Sequence, residues 1–239
     1  MRVSLQAGYV LHTRPWRDTS LLVEYFSREQ GRVSLVAKGA KSRKHRGGSP
    51  AALLQPFTPL QCSWSGRSQL RTLTDCESLG PALVLPGRRL YSGLYMNEVL
   101  ARLLHHDDPH GKLFDHYAAV LVLLAEGEDE EVPLRQFELV LLEELGYGFD
   151  LACDGQSGAP LDGEGWYHFH EEHGLVRAPD QGMDRLPRYL GADLLQVAAG
   201  DFTAGARRCA KRLMRQALTA YLGDRPLKSR ELFRQLEEH

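Results

Sequence analysis

The segment Val33-Ser-Leu-Val-Ala-Lys-Gly-Ala-Lys-Ser-Arg-Lys-His-Arg-Gly-Gly48 begins with alternating residues and ends in a loop of Gly, Ser, Lys and Arg. Val33, Leu35 and Ala37 share one face, which is the period of a half-buried strand. The wider stretch Gln30–Thr74 contains eight Lys or Arg residues and no Asp or Glu. A surface with this charge suits a polyanion, and nucleic acid is the commonest one. The segment therefore predicts a strand that leads into a nucleic-acid-binding loop.

The sequence on either side of this strand predicts a small β domain. Alternation over Val3–Leu11 and a β-rich run over Ser20–Ser27 predict two strands before it. After the loop, Ser49-Pro50 predicts the start of a short helix. Phe57–Trp64 and Ser68–Thr74 predict two further strands. Three strands, a short helix and two strands is the order of an OB-fold, a five-stranded barrel that binds single strands through a basic groove and stacking aromatics.

Four aromatic residues of this barrel are candidates for stacking on bases: Trp16, Tyr25, Phe57 and Trp64. We expect most of them to fill the barrel instead. Trp16 is the best candidate for an exposed position, because Arg14, Pro15 and Arg17 surround it in a loop-like segment.

From Pro81 onward the hydrophobic period becomes helical. The predicted helices are Arg88–His105, Gly111–Ala125, Leu134–Leu145, Phe202–Leu222 and a short one after Pro226. Asp108-Pro109 is predicted to cap the second of these, and Gly146 to end the third. The pattern breaks over residues 147–183, where Trp166–His170 and Leu175–Ala178 predict a β-hairpin.

The predicted fold class is therefore α+β. An N-terminal OB-fold barrel occupies residues 1–80, and a mostly α-helical domain occupies residues 81–239. The helical domain carries a small, irregular β-hairpin insertion at residues 147–183.

The formal net charge of −2 hides a strong partition along the chain. Residues 1–80 carry a net charge of +7, residues 81–184 carry −14, and residues 185–239 carry +5. No apolar run is long enough for a membrane span, and the N-terminus lacks the apolar region of a secretory signal. The four cysteines are scattered without paired spacing, which suits reduced thiols. We expect a cytoplasmic protein associated with the nucleoid.

Motifs for catalysis or metal binding are weak in this sequence. Gly39-Ala-Lys-Ser42 lacks the Gly-Lys-Ser/Thr ending of a phosphate-binding loop. The histidines His168, His170 and His173 lie near Cys153 in the sequence, but their spacing is not that of a zinc protease, and surface histidines are the expected alternative. No motif indicates a nucleophile or a pair of catalytic carboxylates. The sequence therefore predicts a binding protein that is not an enzyme and needs no metal or other cofactor.

Seven segments together carry a family resemblance: Tyr9–Ser20, Gly31–Lys41, Leu54–Pro59, Leu90–Glu98, Arg135–Leu139, Leu145–Gly148 and Pro226–Phe233. In their sequences and their order they resemble the RecO family of bacterial recombination mediators in DNA repair. The resemblance implies an OB-fold followed by a helical domain, binding of single- and double-stranded DNA, and annealing of complementary strands. It also implies partnership with RecR and with the C-terminal tail of single-strand-binding protein, and through them loading of RecA onto coated DNA.

Some members of this family carry a four-cysteine zinc finger after the Leu-Gly-Tyr-Gly motif. Here Cys153 remains, but Gln156 occupies the position of its partner, and no second cysteine pair follows. We therefore expect a degenerate finger without zinc. From the residues alone, an OB-fold RNA-binding or translation-associated protein is the competing interpretation.

Annealing requires that the repulsion between two phosphate backbones be neutralised, and basic side chains can do this. The candidate DNA-binding residues are Arg14, Trp16, Arg17, Arg32, Lys38, Lys41, Arg43, Lys44, Arg46, Arg67 and Arg71 in the barrel and Arg208, Lys211, Arg212 and Arg215 in the last long helix. Leu134, Arg135 and Phe137 are the candidate site for the acidic tail of single-strand-binding protein. The alternative is that Arg135 pairs with a glutamate of its own helix.

Overall fold

The computed structural model describes residues 2–41, 50–127, 129–179, 186–223 and 225–237. The chain folds into two compact units, of which the first combines residues 1–130 with 226–239 and the second comprises residues 131–225. The sequence-predicted boundary near residue 80 lies inside the first unit, where strands give way to helices. As a domain boundary it stays a prediction.

The N-terminal part of the first unit is a closed five-stranded barrel. Its strands are β1 (Arg2–Trp16), β2 (Ser20–Ser27), β3 (Gly31–Ala37), β4 (Leu60–Ser65) and β5 (Leu70–Ser78), with the short helix α1 (Pro50–Leu53) between β3 and β4. The strands close in the order β1-β2-β3-β5-β4, with β3 and β5 parallel and the other pairs antiparallel. This order confirms the predicted α+β class with its OB-like barrel.

Strand β1 is long because it pairs with both of its neighbours in turn. Its first residues pair with β4 and its later residues with β2, and the register shifts once in each ladder. Such irregularities bend a strand and increase its twist. Leu5, at one of the two shifts, has a positive φ of 54°. The bends allow one strand to wrap around the barrel and close it.

The barrel is filled by side chains, including two of the four aromatic candidates. Tyr25 and Trp64 are almost fully buried, and their rings meet edge to face at 6.1 Å. The Tyr25 hydroxyl donates to the carbonyl oxygens of Gln6 and Leu60. Phe57 is also buried. These positions confirm that most of the aromatics belong to the core.

Three helices complete the first unit: α2 (Arg88–Leu103), α3 (Gly111–Glu126) and α7 (Lys228–Glu237). An aromatic cluster joins the barrel to α3, since the Tyr9 ring contacts those of Phe114 and Tyr117. The C-terminal helix α7 packs on α2, where Tyr91 meets Phe233 edge to face. Among the described helices, none combines the length and apolar character that a bilayer crossing requires.

The predicted cap of α3 at Asp108-Pro109 is wrong. The residue that precedes the helix is His110, and no side chain caps the helix there. The loop before it serves another purpose, because the backbone N–H of Asp107 donates to the carbonyl oxygen of Arg32 on β3. Asp107 has a φ of 62° in this arrangement. The loop is therefore held against the barrel.

The second unit combines three helices with a small antiparallel sheet. Its elements are α4 (Glu131–Glu144), β6 (Trp166–His170), β7 (Gly174–Arg177), β8 (Tyr189–Leu190), α5 (Gly191–Ala198) and α6 (Ala204–Leu222). The hairpin β6–β7 is the one predicted, whereas β8 and α5 were not predicted. Gly146 ends α4 as expected, with a φ of 78° and a hydrogen bond from Tyr147 N–H to the carbonyl oxygen of Leu142.

Candidate nucleic-acid interface

Two basic turns meet at one end of the barrel. The β1–β2 turn contains Arg17, and the turn that follows β3 contains Lys38 and Lys41. Leu21 pairs with Ala37, so the start of β2 lies beside the end of β3. A backbone hydrogen bond of 3.0 Å from the Lys41 N–H to the carbonyl oxygen of Thr19 then joins the turns directly.

Arg14 lies on β1 next to these turns. It pairs with Leu22, which in turn pairs with Val36, so Arg14 is two strands away from the end of β3. Arg14, Arg17, Lys38 and Lys41 are all exposed. We call these four residues the basic end. Within the part of the chain that the structure describes, none of them has a carboxylate at ion-pair distance.

Trp16 lies at the last position of β1, within the basic end, and is only partly buried. It is the one of the four aromatic candidates that is not part of the core, although it ends a strand and is partly buried, whereas the sequence predicted an exposed position in a loop-like segment. An indole beside several cations is the combination that single-strand binders use, since bases stack on the ring while cations hold the phosphates. The predicted loop cations Arg43, Lys44 and Arg46 lie outside the described residues.

Arg32 is not a free cation. Its Nε lies 2.9 Å from Oε2 of Glu24, and its Nη1 donates to the carbonyl oxygen of Leu104 at 3.1 Å. The two side chains are only 17% and 8% exposed. The guanidinium group is thus satisfied by protein atoms. A DNA contact by Arg32 stays a prediction, but the structure offers no support for it.

Glu24 is the anchor of this buried network, which the sequence analysis missed. Its Oε1 accepts a hydrogen bond of 2.6 Å from the hydroxyl of Ser34, and Nε2 of His106 lies 3.7 Å from its Oε2. The signal was present in the sequence, because Glu24 is a lone carboxylate within the apolar run Ser20–Ser27. A charge in a buried strand requires a partner.

Arg71 is also paired. Its Nη1 lies 2.6 Å from Oδ1 of Asp107, and its side chain is 12% exposed. The acid-free stretch Gln30–Thr74 therefore does find carboxylates, from Asp107 in the α2–α3 loop and from Glu24 on the preceding strand. These ion pairs give no support to the DNA contacts predicted for Arg32 and Arg71, which stay predictions.

Arg67 is exposed but lies away from the basic end. Because β3 and β5 run parallel with Ser34 beside Leu70, the β4–β5 turn that carries Arg67 lies toward the start of β3. Lys38 lies beyond the other end of the same strand. The structure therefore does not group Arg67 with the basic end.

The second unit carries the predicted basic stripe on α6. Its four members are exposed at spacings of three and four residues: Arg208, Lys211, Arg212 and Arg215. The opposite face is buried. Lys211 lies 3.3 Å from Oε1 of Glu131, and Arg212 lies over the ring of Tyr189 at 5.4 Å. Burial raises the pKa of Tyr189 to about 12, so this ring stays neutral.

The candidate partner site on α4 is largely internal. Phe137 is fully buried, and Leu134 is partly buried. Arg135 Nη1 lies 2.7 Å from Oε2 of Glu138, and the two side chains are 11% and 1% exposed. This is the alternative that the sequence left open, in which Arg135 pairs on its own helix. Binding of an acidic tail at these three residues stays a prediction.

The insertion of the second unit is organised by a carboxylate. Oδ1 of Asp154 accepts hydrogen bonds from the N–H groups of Gln156 and Ser157 and from the Ser157 hydroxyl, and Oδ2 accepts one from the Arg177 N–H. Asp154 is 7% exposed. It thus ties the turn after Cys153 to β7.

The histidine cluster of the insertion is divided. His168 is buried, with Nδ1 at 2.9 Å from the carbonyl oxygen of Pro187, whereas His170 and His173 are exposed. In the described ranges, no three His, Cys, Asp or Glu side chains come together in a way that could hold a metal ion. The expectation that no zinc binds stays a prediction.

Two family models cover nearly the whole chain. The one described as Recombination protein O N terminal matches residues 1–82, and the one described as Recombination protein O C terminal matches residues 86–231. The two matched ranges adjoin between the last barrel strand, β5, and helix α2.

Curated relatives match over almost their full length. The chain is 47% identical over 237 residues to the DNA repair protein RecO of Haemophilus influenzae (strain 86-028NP), covering 98% of each chain. It is 47% identical over 236 residues to that of Pseudomonas paraeruginosa, covering 98% of this chain and 96% of the relative. The DNA repair protein RecO of Proteus mirabilis is 45% identical to this chain over 234 residues, which cover 96% of this chain and 92% of the relative.

Proposed function

The chain belongs to the RecO family of DNA repair proteins, and from this we propose that it is a DNA-binding recombination mediator that anneals complementary single strands. The observation that carries the proposal is the basic end of the barrel. It combines four exposed cations that have no described carboxylate partner, and Trp16, whose indole is partly exposed, lies between Arg14 and Arg17 in the chain. Phosphates bind the cations, and a base stacks on the ring.

Annealing needs a second place where nucleic acid can be held. The stripe on α6 offers it, because Arg208 and Arg215 are exposed and have no ion pair within the described ranges. Each strand then arrives with part of its backbone charge neutralised, so that the repulsion that opposes pairing falls. The same contacts are independent of sequence and would also hold a duplex. No bond is made or broken, so we propose that the protein acts by binding and not as an enzyme.

We further propose the partners that the family resemblance implies. These are RecR and the C-terminal tail of single-strand-binding protein, with RecA loaded as the result. The ion pair between Arg135 and Glu138 removes the reason for placing the tail at Arg135. We therefore include the tail as a partner but assign it no residues. A mediator of this kind would work at the nucleoid.

The proposal is tested by annealing of complementary DNA oligonucleotides, one of them coated with single-strand-binding protein. We expect the wild-type chain to accelerate annealing. Loss of the basic end is expected to abolish the acceleration, in a variant that combines Arg14→Ala, Arg17→Ala, Lys38→Ala and Lys41→Ala. The variant Arg28→Ala is the control, because this exposed guanidinium is already paired with Asp115 at 2.8 Å.

Two results would contradict the proposal. One is that the wild-type chain binds DNA but leaves the annealing rate of the coated strand unchanged. The other is that it accelerates only the pairing of RNA, as the competing RNA-binding interpretation requires. A variant with Arg208→Ala and Arg215→Ala tests the second strand site separately, and we expect it to bind single strands but to anneal slowly.

A further inference from the structure

Two cysteines that are far apart in the sequence lie directly opposite each other in the barrel. Cys62 on β4 and Cys76 on β5 are paired residues of neighbouring antiparallel strands. Their sulfur atoms are 2.7 Å apart. Paired residues of such strands have Cα atoms about 4.5–5.5 Å apart, which lies within the range of about 4.4–6.8 Å for disulfides. The scattered cysteine spacing in the sequence gave no sign of this pair.

We propose that Cys62 and Cys76 are a redox modification site, at which a low-molecular-weight disulfide such as oxidised glutathione produces a reversible intramolecular disulfide. The sulfur atoms need to approach to about 2.05 Å for a bond. Their present separation leaves less than an ångström to close, and rotation of the side chains supplies such a movement. The backbone positions required by the bond are set by the β4–β5 ladder.

The two thiols differ in exposure, which gives the reaction an order. Cys76 is partly exposed, whereas Cys62 is 1% exposed and belongs to the barrel core. Cys76 therefore reacts first, and its thiolate attacks the small disulfide, forming a mixed disulfide and releasing one small thiol. The Cys62 sulfur then attacks the Cys76 sulfur and releases the second small thiol. Two protein thiols lose two electrons and two protons, and one small disulfide is reduced to two thiols.

The environment of Cys62 protects it until Cys76 has reacted. The hydrogen bond with the Cys76 thiol and burial raise the pKa of Cys62 far above its usual range. Burial and the raised pKa thus protect Cys62 against outside oxidants, while its sulfur lies 2.7 Å from that of Cys76.

The bond would join β4 to β5 inside the barrel, close to Tyr25 and Trp64. It would not involve the basic end, which is carried by β1, the β1–β2 turn and the turn after β3. We therefore expect the oxidised protein to bind single-stranded DNA as the reduced protein does and to unfold at a higher temperature. The redox proposal could therefore fail while the proposed DNA function stands. Equally, the proposed DNA function could fail while the redox proposal stands.

The test uses the full chain with Cys153→Ser and Cys209→Ser, which leaves only the pair. Oxidised glutathione is added, and free thiols and intact mass are measured before and after reduction. We expect both thiols to disappear, with a loss of two hydrogen atoms in mass, no glutathione adduct, and full recovery on reduction. Adding Cys62→Ser to this background is expected to yield a stable glutathione adduct on Cys76 instead.

Two outcomes would overturn the proposal, and both are measured in the chain that carries only Cys153→Ser and Cys209→Ser. The test therefore does not depend on whether the Cys62→Ser variant folds. One is a lasting glutathione adduct on Cys76 while Cys62 stays free. The other is that both thiols persist under conditions that oxidise a free cysteine peptide.

Discussion

The backbone N–H of Lys41 donates a hydrogen bond of 3.0 Å to the carbonyl oxygen of Thr19. This contact joins the turn after β3 to the β1–β2 turn, and with them Lys38, Lys41 and Arg17. Because the bond is between backbone atoms, the side chains themselves stay available to a ligand. The arrangement of charge at the basic end is therefore built into the barrel and does not depend on the chain folding around DNA.

Removing the four cations of the basic end should flatten the salt dependence of binding. Each phosphate contact on a single strand contributes about −0.7 to the slope of log K against log salt. With all four replaced by alanine, we expect a slope that is less steep by about 3. Fluorescence anisotropy of a labelled oligonucleotide over a salt series measures it. Arg28→Ala should change the slope little, and an unchanged slope in the fourfold variant would remove the basic end from the interface.

Trp16→Ala should weaken single-strand binding without changing the salt slope. Stacking of one base on an aromatic side chain contributes about 1–3 kcal/mol, so we expect affinity to fall by a factor between about 5 and about 150. Trp16→Phe should restore much of it. Trp166→Ala is the control, because this indole is exposed, at 48%, but lies in the second unit. Equal losses in the two alanine variants would mean that Trp16 has no particular role.

Arg32→Ala should destabilise the protein instead of weakening its DNA contacts. It leaves the buried carboxylate of Glu24 without its ion-pair partner, and such a change costs about 3 kcal/mol or more. Urea unfolding measures the loss. Arg67→Ala should alter the unfolding free energy by less than about 0.5 kcal/mol, since this side chain is exposed. A stable Arg32→Ala variant with reduced DNA affinity would favour a direct contact by Arg32.

The attachment of α7 should weaken in acid. Oxygens of Glu98 on α2 accept hydrogen bonds from the N–H groups of Lys228 and Ser229 and from the Ser229 hydroxyl. Burial opposes ionisation of Glu98, but these bonds outweigh it, so its pKa is lowered. A lowered carboxyl pKa gives stability that is complete above its ordinary value of 4.5 and is lost as the pH falls through the lowered value.

Glu98→Gln should remove this part of the pH dependence and cost about 1 kcal/mol at neutral pH, as loss of a helix cap does. Unfolding free energies of the wild type and the variant, followed from neutral pH into acid, should converge. Glu77→Gln is the control, since this carboxylate is exposed and has no ion pair within the described ranges. Parallel curves would show that Glu98 is not the group that titrates.

Asp154→Ala should loosen the insertion of the second unit. The change removes an acceptor of several hydrogen bonds, and bonds to a charged group contribute about 1.5–3 kcal/mol each. Hydrogen exchange should accelerate at the amides of Gln156, Ser157 and Arg177. Glu164→Ala, an exposed change in the same insertion, should have little effect. A wild-type insertion that loosens when a metal chelator is added would show that a metal, and not Asp154, holds it.

Local patterns were sufficient to predict the barrel and most helices. Alternation predicted β3 and the part of β1 up to Leu11, a β-rich run predicted β2, and the helical period with its stop signals predicted α2, α3 and the end of α4 at Gly146. The two-residue strand β8 has no period of its own, and it exists because Tyr189 pairs with Tyr167 on β6. A strand of this kind cannot be predicted from the sequence of its own two residues.

The site was harder to predict, because a count of charges along the chain does not show which of them meet. Arg71 and Asp107 are 36 positions apart in the sequence, and only the docking of the α2–α3 loop on β3 brings them together. Arg14 and Lys38, in contrast, are exposed, and the ladder partner of Arg14 is the apolar Leu22. Sequence reasoning thus found the basic region but overestimated the number of cations free to bind.

The return of α7 to the first unit has a consequence for how the polypeptide is made. All five barrel strands are complete by Ser78, so the barrel can close while the ribosome is still synthesising the rest. The face of α2 that receives α7, with Tyr91 and Glu98, is not covered by α7 until α7 itself has been synthesised. A nascent chain therefore carries this face without α7 from the completion of α2 at Leu103 onward, and a premature stop before Lys228 would leave it so permanently.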